Sequence, residues 1–209
     1  MTASNPSDPN VWENRDIEKE SFQDADLSDH LMRNCRFSDC DFRGARFDDV
    51  ETSGCAFTAC DFTGARFNSS RHATSAFVNC RFAFASLFTA HFEGCKLMGS
   101  SFQDADLSGM TVVGGDWSYV FLQKQDLRRF DFRGVRLAES NMQECNLERA
   151  DLREADLTHV LLSDAKLRGV DLRGAVLDGI DLATLDLRGV RMDVAGCIAL
   201  ARAHGVKVS

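Results

Sequence analysis

Proline is scarce, with two residues in 209, too few for Pro-rich linkers or a disordered chain of that kind. Basic residues are in deficit as well: 24 Lys plus Arg face 32 Asp plus Glu, a formal charge of −8. A surface of that sign disfavours direct contact with nucleic acid or an anionic membrane and suits a basic partner. Long apolar runs are missing, none approaching the roughly 18 residues of a membrane-spanning helix. The opening Met1-Thr-Ala-Ser-Asn-Pro-Ser-Asp-Pro-Asn10 has neither the basic head nor the apolar stretch of an export signal. The expected location is therefore cytoplasmic, with no membrane partner. Phosphate-binding loops, dinucleotide fingerprints and nucleophile elbows are lacking too.

What is present is a period of five. A large apolar residue recurs from Ile17 through Phe22, Leu27, Met32 and Phe37 to Leu187 and Met192 without a change of phase. Of these 36 positions, Thr52 and His72 alone are not apolar. Five fits neither the 3.6 of a helix nor the 2 of a strand, so each quintet must carry its own change of direction. With the large residue called i, position i−2 is mostly small and holds seven of the eight cysteines. Position i+2 holds twelve of the fifteen glycines, as a turn of little bulk requires. Positions i and i−2 are thus expected to point inward, and i−1, i+1 and i+2 outward.

The cadence of Ala25-Asp-Leu-Ser-Asp29, Ala105-Asp-Leu-Ser-Gly109, Ala150-Asp-Leu-Arg-Glu154 and Ala155-Asp-Leu-Thr-His159 resembles the pentapeptide-repeat family. The resemblance implies an all-β solenoid, a right-handed quadrilateral β-helix with four quintets per coil, here of about nine coils over 15–192. Residues 1–14 are read as an N-terminal tail or cap.

Sorted at intervals of twenty, the column through Phe22 carries Glu20, Asp24, Asp41, Asp61, Asp104, Glu144, Asp164 and Asp181 against Arg43, Arg81 and Lys124. Two readings stand: a strip facing a partner, or a solvated surface that keeps the chain soluble. Thr52 and His72 lie twenty apart, and with Arg71 they mark either a tolerated imperfection or a distorted contact site that bulges outward. Val78, Phe84, Phe88, Met98, Val113, Tyr119 and Phe121 fall at outward positions and suggest an apolar patch or a wall distorted enough to hide some of them. The cysteines lack zinc-knuckle spacing and the five histidines are scattered. No metal, cofactor or catalytic residue is expected, since the repeat itself places Asp in quintet after quintet.

After Met192 the cadence stops. Residues 193–209 are expected to cap the solenoid: Asp193 as N-cap, Ile198, Leu200 and Ala201 on an apolar side that joins two copies, Gly205 as the stop, and a short final strand over Val206–Ser209. This ending, Leu185-Asp-Leu-Arg-Gly-Val-Arg-Met-Asp193 followed by an Ala-rich helix, resembles the Qnr/MfpA quinolone-resistance group, in a loopless, MfpA-like form. That resemblance implies a homodimer joined at C-terminal ends and a surface imitating duplex DNA. Such a surface would bind DNA gyrase, possibly topoisomerase IV, and counter fluoroquinolones. The competing expectation is a repeat scaffold for another protein partner, its acidity serving solubility alone.

Overall fold

The computed structural model describes residues 9–208. It is a β-solenoid of parallel segments with a short C-terminal helix, and it divides after Thr111 into two compact units.

In the first unit, two of the four sides are built from three-residue strands. One side carries β1 (Val11–Glu13), β3 (Leu31–Arg33), β5 (Glu51–Ser53), β7 (Arg71–Ala73) and β9 (His91–Glu93), neighbours in that order. The next carries β2 (Asp16–Glu18), β4 (Arg36–Ser38), β6 (Ala56–Thr58) and β8 (Ala76–Val78). Every pairing is parallel, with partners twenty residues apart, as in Trp12↔Met32 and Phe37↔Phe57. The other two sides are joined by single bridges such as Ser21↔Asp41↔Asp61 and Asp26↔Arg46↔Arg66. Strand β1 lies inside the segment expected to be a tail, so pairing begins earlier than residue 15.

The second unit has the same twenty-residue register but is held by single bridges on all four sides, for example Asp116↔Arg136↔Asp156↔Val176 and Asp131↔Asp151↔Asp171↔Arg191. Strands thus form about five turns, on one side of the first unit, rather than the nine expected. Where i−1 is Asp or Asn, its side chain can accept the i+1 amide in an Asx turn, as Asp151 does from Arg153 (3.2 Å) and Asn141 from Gln143 (3.1 Å). In β3–β9 the i−1 residue is Leu31, Arg36, Glu51, Ala56, Arg71, Ala76 or His91, none of which makes that turn, and the backbone stays extended.

The core follows from the register. Phe42, Phe62, Phe82 and Phe102 stack at 4.9–5.0 Å with nearly parallel rings, and Phe37, Phe57 and Phe77 at 4.7 Å. These distances equal the separation of adjacent strands. Rings in neighbouring columns meet edge to face, Phe42 with Phe47 at 5.3 Å. At i−2 the cysteines are buried, and Cys60 and Cys80 donate their thiols to Phe37 and Phe57 carbonyls. Burial pushes the Cys55, Cys95 and Cys145 thiols up to about 11. From Lys19 to Gly179 position i+2 is a left-handed corner, at Gly44 (φ 67°) and Gly64 (φ 69°) and equally at Asp24, Asp104 and Thr74. An added Cβ at Gly44 would meet the Asp24 carboxylate from the turn before, which accounts for glycine there.

At the end of the second unit, Asp193 caps helix α1 (Val194–Ala203) by accepting from the Gly196 amide (2.9 Å) and also takes the Gly174 amide (2.7 Å). Gly205 (φ 79°) ends it: its amide donates to Arg202 and that of Val206 to Ala201, a Schellman closure. Because Val206 completes that closure, residues 206–208 form no strand, contrary to expectation; Ser209 lies outside the described residues.

Phe62 is fully buried between two stacked rings whereas Phe84 is 65% exposed. Phe62→Ala is expected to cost about 3–5 kcal/mol in chemical denaturation, and Phe84→Ala less than about 0.5 kcal/mol. Equal losses would refute the assignment of inward and outward positions.

Candidate functional site

The expected acidic strip divides between the two units. In the first, Glu20, Asp24 and Asp104 are exposed, the latter two on left-handed corners. Asp41 and Asp61 are bridge partners on adjacent turns and half-buried. They are not equivalent. Arg43 grips Asp41 with a fork of 2.9 and 2.6 Å, which holds that carboxyl below its usual range. Asp61 instead accepts from the amide and hydroxyl of Thr63 and has no cation partner. In the second unit Glu144, Asp164 and Asp181 are exposed; Glu144 lies 3.8 Å from Lys124.

The fork between Asp41 and Arg43 is one instance of a rule. Asp126–Arg128, Asp131–Arg133, Asp151–Arg153, Asp171–Arg173 and Asp186–Arg188 form the same pair across one large residue. Arg173 holds the Asp171 carboxyl down to about 2. Between turns, Arg136 reaches both Asp116 (3.6 Å) and Asp156 (3.4 Å), and Asp48 receives Arg46 and Arg66. Formal charge therefore overstates free charge, and column sums in the sequence missed this. The signal was legible as Asp-Leu-Arg and Asp-Phe-Arg.

Net negative charge concentrates in the first unit. Residues 1–111 hold 17 Asp plus Glu against 10 Lys plus Arg, a net of −7, whereas residues 112–209 hold 15 against 14. Among the described residues Glu20, Asp24, Asp29, Asp39, Asp49 and Asp104 are in no ion pair, and Asp24, Asp29, Asp39, Asp49 and Asp104 share the left-handed corner. Asp29, Asp39 and Asp49 were not among the expected site residues.

Thr52 and His72 do not bulge. They are register partners in β5 and β7, both buried, and the polar stretch around them forms an internal hydrogen-bond network. Ser70 donates to the Phe67 carbonyl (2.7 Å), so His72 Nε2 donates to Ser70 Oγ (2.9 Å). His72 Nδ1 lies 2.8 Å from Thr52 Oγ1, which in turn donates to Ser75 Oγ (3.0 Å). The neutral ring stacks on Phe92 at 4.7 Å and takes the place of a phenylalanine. Their burial removes both from any contact surface; Arg71 alone of the three is exposed.

The outward apolar residues partly hold. Phe84 and Phe88 in the first unit, and Val113, Tyr119 and Phe121 in the second, are half or more exposed, while Val78 and Met98 are half-buried. Leu161 and Val176 are exposed at i−1, where the repeat ordinarily has Asp or Asn. On α1, Ile198, Leu200 and Ala201 are half-buried within the chain, and Val194 is 77% exposed.

A family model described as pentapeptide repeats matches residues 21–51, 40–71, 76–109, 120–153, 131–169 and 165–193, more than half of the chain. The chain belongs to the pentapeptide-repeat family. No curated protein matches it in sequence. Among solved structures it is similar to trypsin-treated QnrB1, a plasmid-mediated fluoroquinolone resistance protein, with a TM-score of 0.85 and 20% identity over 95% of this chain and 100% of that one. It also matches HetL, a pentapeptide-repeat protein involved in heterocyst differentiation regulation from the cyanobacterium Nostoc sp. strain PCC 7120. That match has a TM-score of 0.38 and 22% identity over 87% of this chain and 89% of that one. The QnrB1 likeness establishes the fold of this pentapeptide-repeat protein. None of the helices described is long and apolar enough to cross a membrane.

The buried histidine gives this repeat protein a specific pH response. Burial, with His91 nearby adding to it, lowers His72 from its ordinary 6.5 to about 3. The unfolded chain therefore binds this proton first. The stability from a neutral His72 is complete above about pH 6.5 and falls by about 1.4 kcal/mol per unit as pH drops toward 3. His72→Phe is expected to flatten the dependence of unfolding free energy between pH 6 and pH 4. Parallel curves for the two proteins would show that His72 does not titrate in that window.

Proposed function

We propose that this chain binds DNA gyrase, or a related type II topoisomerase, by presenting carboxylates where duplex DNA presents phosphates, and so modulates the enzyme and the action of fluoroquinolones on it. The observation that carries this reading is the net negative charge of the first unit, where Asp24, Asp29, Asp39, Asp49 and Asp104 stand unpaired on left-handed corners. Its strand-built turns, about five at ~4.8 Å each, span roughly 24 Å, and residues 9–111 carry a net charge of −6 (16 Asp plus Glu against 10 Lys plus Arg). That is about one negative charge per 4 Å, close to the linear density of a single DNA strand. A basic DNA-binding saddle would be attracted to such a surface by charge and held by shape. QnrB1, the similar structure, is a fluoroquinolone resistance protein, and this supports the same reading. The exposed Val194 and the half-buried Ile198, Leu200 and Ala201 of α1 support association of two copies through their C-terminal ends.

Asp24 and Asp104 are the test positions, because Lys19 and Lys124 already occupy the same left-handed corner and show that it accepts lysine. The purified protein is expected to inhibit gyrase supercoiling or relieve ciprofloxacin-induced cleavage. Asp24→Lys with Asp104→Lys should raise the concentration needed at least about tenfold with an unchanged melting curve. Loss of neither activity on charge reversal would reject the acidic corners as the contact. Absence of any effect of the unaltered protein would reject gyrase as the partner.

A further inference from the structure

The ladder of the second unit stops early on the sides of residues 160–164 and 165–169, and only the second of these carries free cations. Cys145 O accepts the Lys166 amide (2.9 Å), Leu147 N donates to Lys166 O (2.9 Å), and Arg149 N donates to Arg168 O (3.0 Å). One turn later the corresponding groups are Ala165 O, Leu167 N and Gly169 N, and none has a hydrogen-bond partner among the described residues. Residues 186–188, which the repeat would set against them, stand off. A cavity of about 660 Å³ separates the two segments, lined by Lys166, Leu167 and Arg168 on one side and Asp186, Arg188 and Gly189 on the other, with Glu148 beside them.

Arg188 is bound to Asp186 (2.8 Å through Nε). Lys166 and Arg168 have no ion-pair partner among the described residues, and Arg129 and Arg149, equally unpaired, stand on corners of the same side. An acidic chain thus carries, in this one place, an open backbone edge flanked by free cations.

We propose that this edge binds an extended acidic segment of a partner protein by adding it as a strand. The segment runs parallel to residues 165–169. Its first amide donates to Ala165 O, and its carbonyls accept from Leu167 N and Gly169 N, as the carbonyls of Lys166 and Arg168 do for the turn before. Its outward side chains fall beside Lys166 and Arg168 and are Asp or Glu. The residue between them is small, because Leu167 is already 2% exposed and leaves no room inward. The motif is acidic–small–acidic. A free phosphate fits less well, since the edge presents one acceptor and two donors at strand spacing, which a compact ion does not span.

The test uses the full chain and a fluorescein-labelled peptide with a Glu-Ala-Glu centre, against a Lys-Ala-Lys control. Saturable binding of the acidic peptide alone is expected, with amide shifts at Leu167 and Gly169 by nuclear magnetic resonance. Lys166→Glu with Arg168→Glu should weaken it at least about tenfold. The proposal fails if both peptides bind alike or neither binds. It fails equally if millimolar inorganic phosphate displaces the peptide, or if Leu167 and Gly169 in the unaltered protein exchange as slowly as Leu147 and Arg149.

Discussion

The interaction on which the rest depends is the backbone ladder between residues twenty apart. In most quintets the amides of i and i+2 donate to carbonyls of the next turn, and the amide of i−1 donates to the turn before, as Phe42, Gly44 and Asp41 do to Asp61, Thr63 and Glu20. A satisfied ladder fixes register, and register places each large side chain on its equivalent. The phenylalanine stacks follow from that placement. So does the corner: an i+2 residue other than glycine is strained with φ positive, at about 1–2 kcal/mol each, yet Asn79, Thr89 and Lys124 all accept it. The strain persists because leaving the corner would break two ladder bonds and shift a whole turn of core.

The same register explains how polar groups can enter the core. Thr52 and His72 are tolerated because they meet each other in adjacent turns, with Ser70 and Ser75 completing the donors and acceptors. A polar residue at only one of the two positions would be left with an unsatisfied buried group. On the outside, register decides which charges remain free. Aspartate at i−1 closes its own turn, and arginine at i+1 is then within reach of it, so that repeats of the Asp-Leu-Arg type neutralise themselves. Aspartate at i+2 points from a corner with no such neighbour. Two carboxylates of equal formal charge therefore differ in what they offer a partner.

Fold class, facing and the C-terminal cap were legible in the sequence because each rests on local periodicity: the five-residue step, small residues at i−2, and Asp193 and Gly205 bounding the helix. The less legible features depend on contacts between turns. Thr52 and His72 were seen as a break, but that they satisfy each other required knowing that β5 and β7 are in register. The acidic column was counted correctly, yet Asp41 and Asp24 looked alike, and only side-chain geometry separates a forked pair from a free corner. The number of strands was overestimated because the five-residue cadence is the same in quintets that pair as three-residue strands and in those that pair through one bridging residue.

A solenoid must end its ladder somewhere, and this chain does so unevenly. On the side of residues 171–174 the last turn is finished: Leu172 N donates to Arg191 O (2.8 Å) and Gly174 N to the Asp193 carboxylate (2.7 Å) that also caps α1. Leu182 is buried in the short 3-10 helix Leu182–Thr184, against which α1 packs, so the core itself is covered. On the side of residues 165–169, as on that of residues 160–164, the large side chains are covered but the backbone is not. These are separable tasks, because a helix can shield apolar side chains without supplying donors and acceptors at strand spacing. The cost of an unpaired backbone falls where solvent or a partner strand can meet it, and cations on that side select which partner strand is favourable.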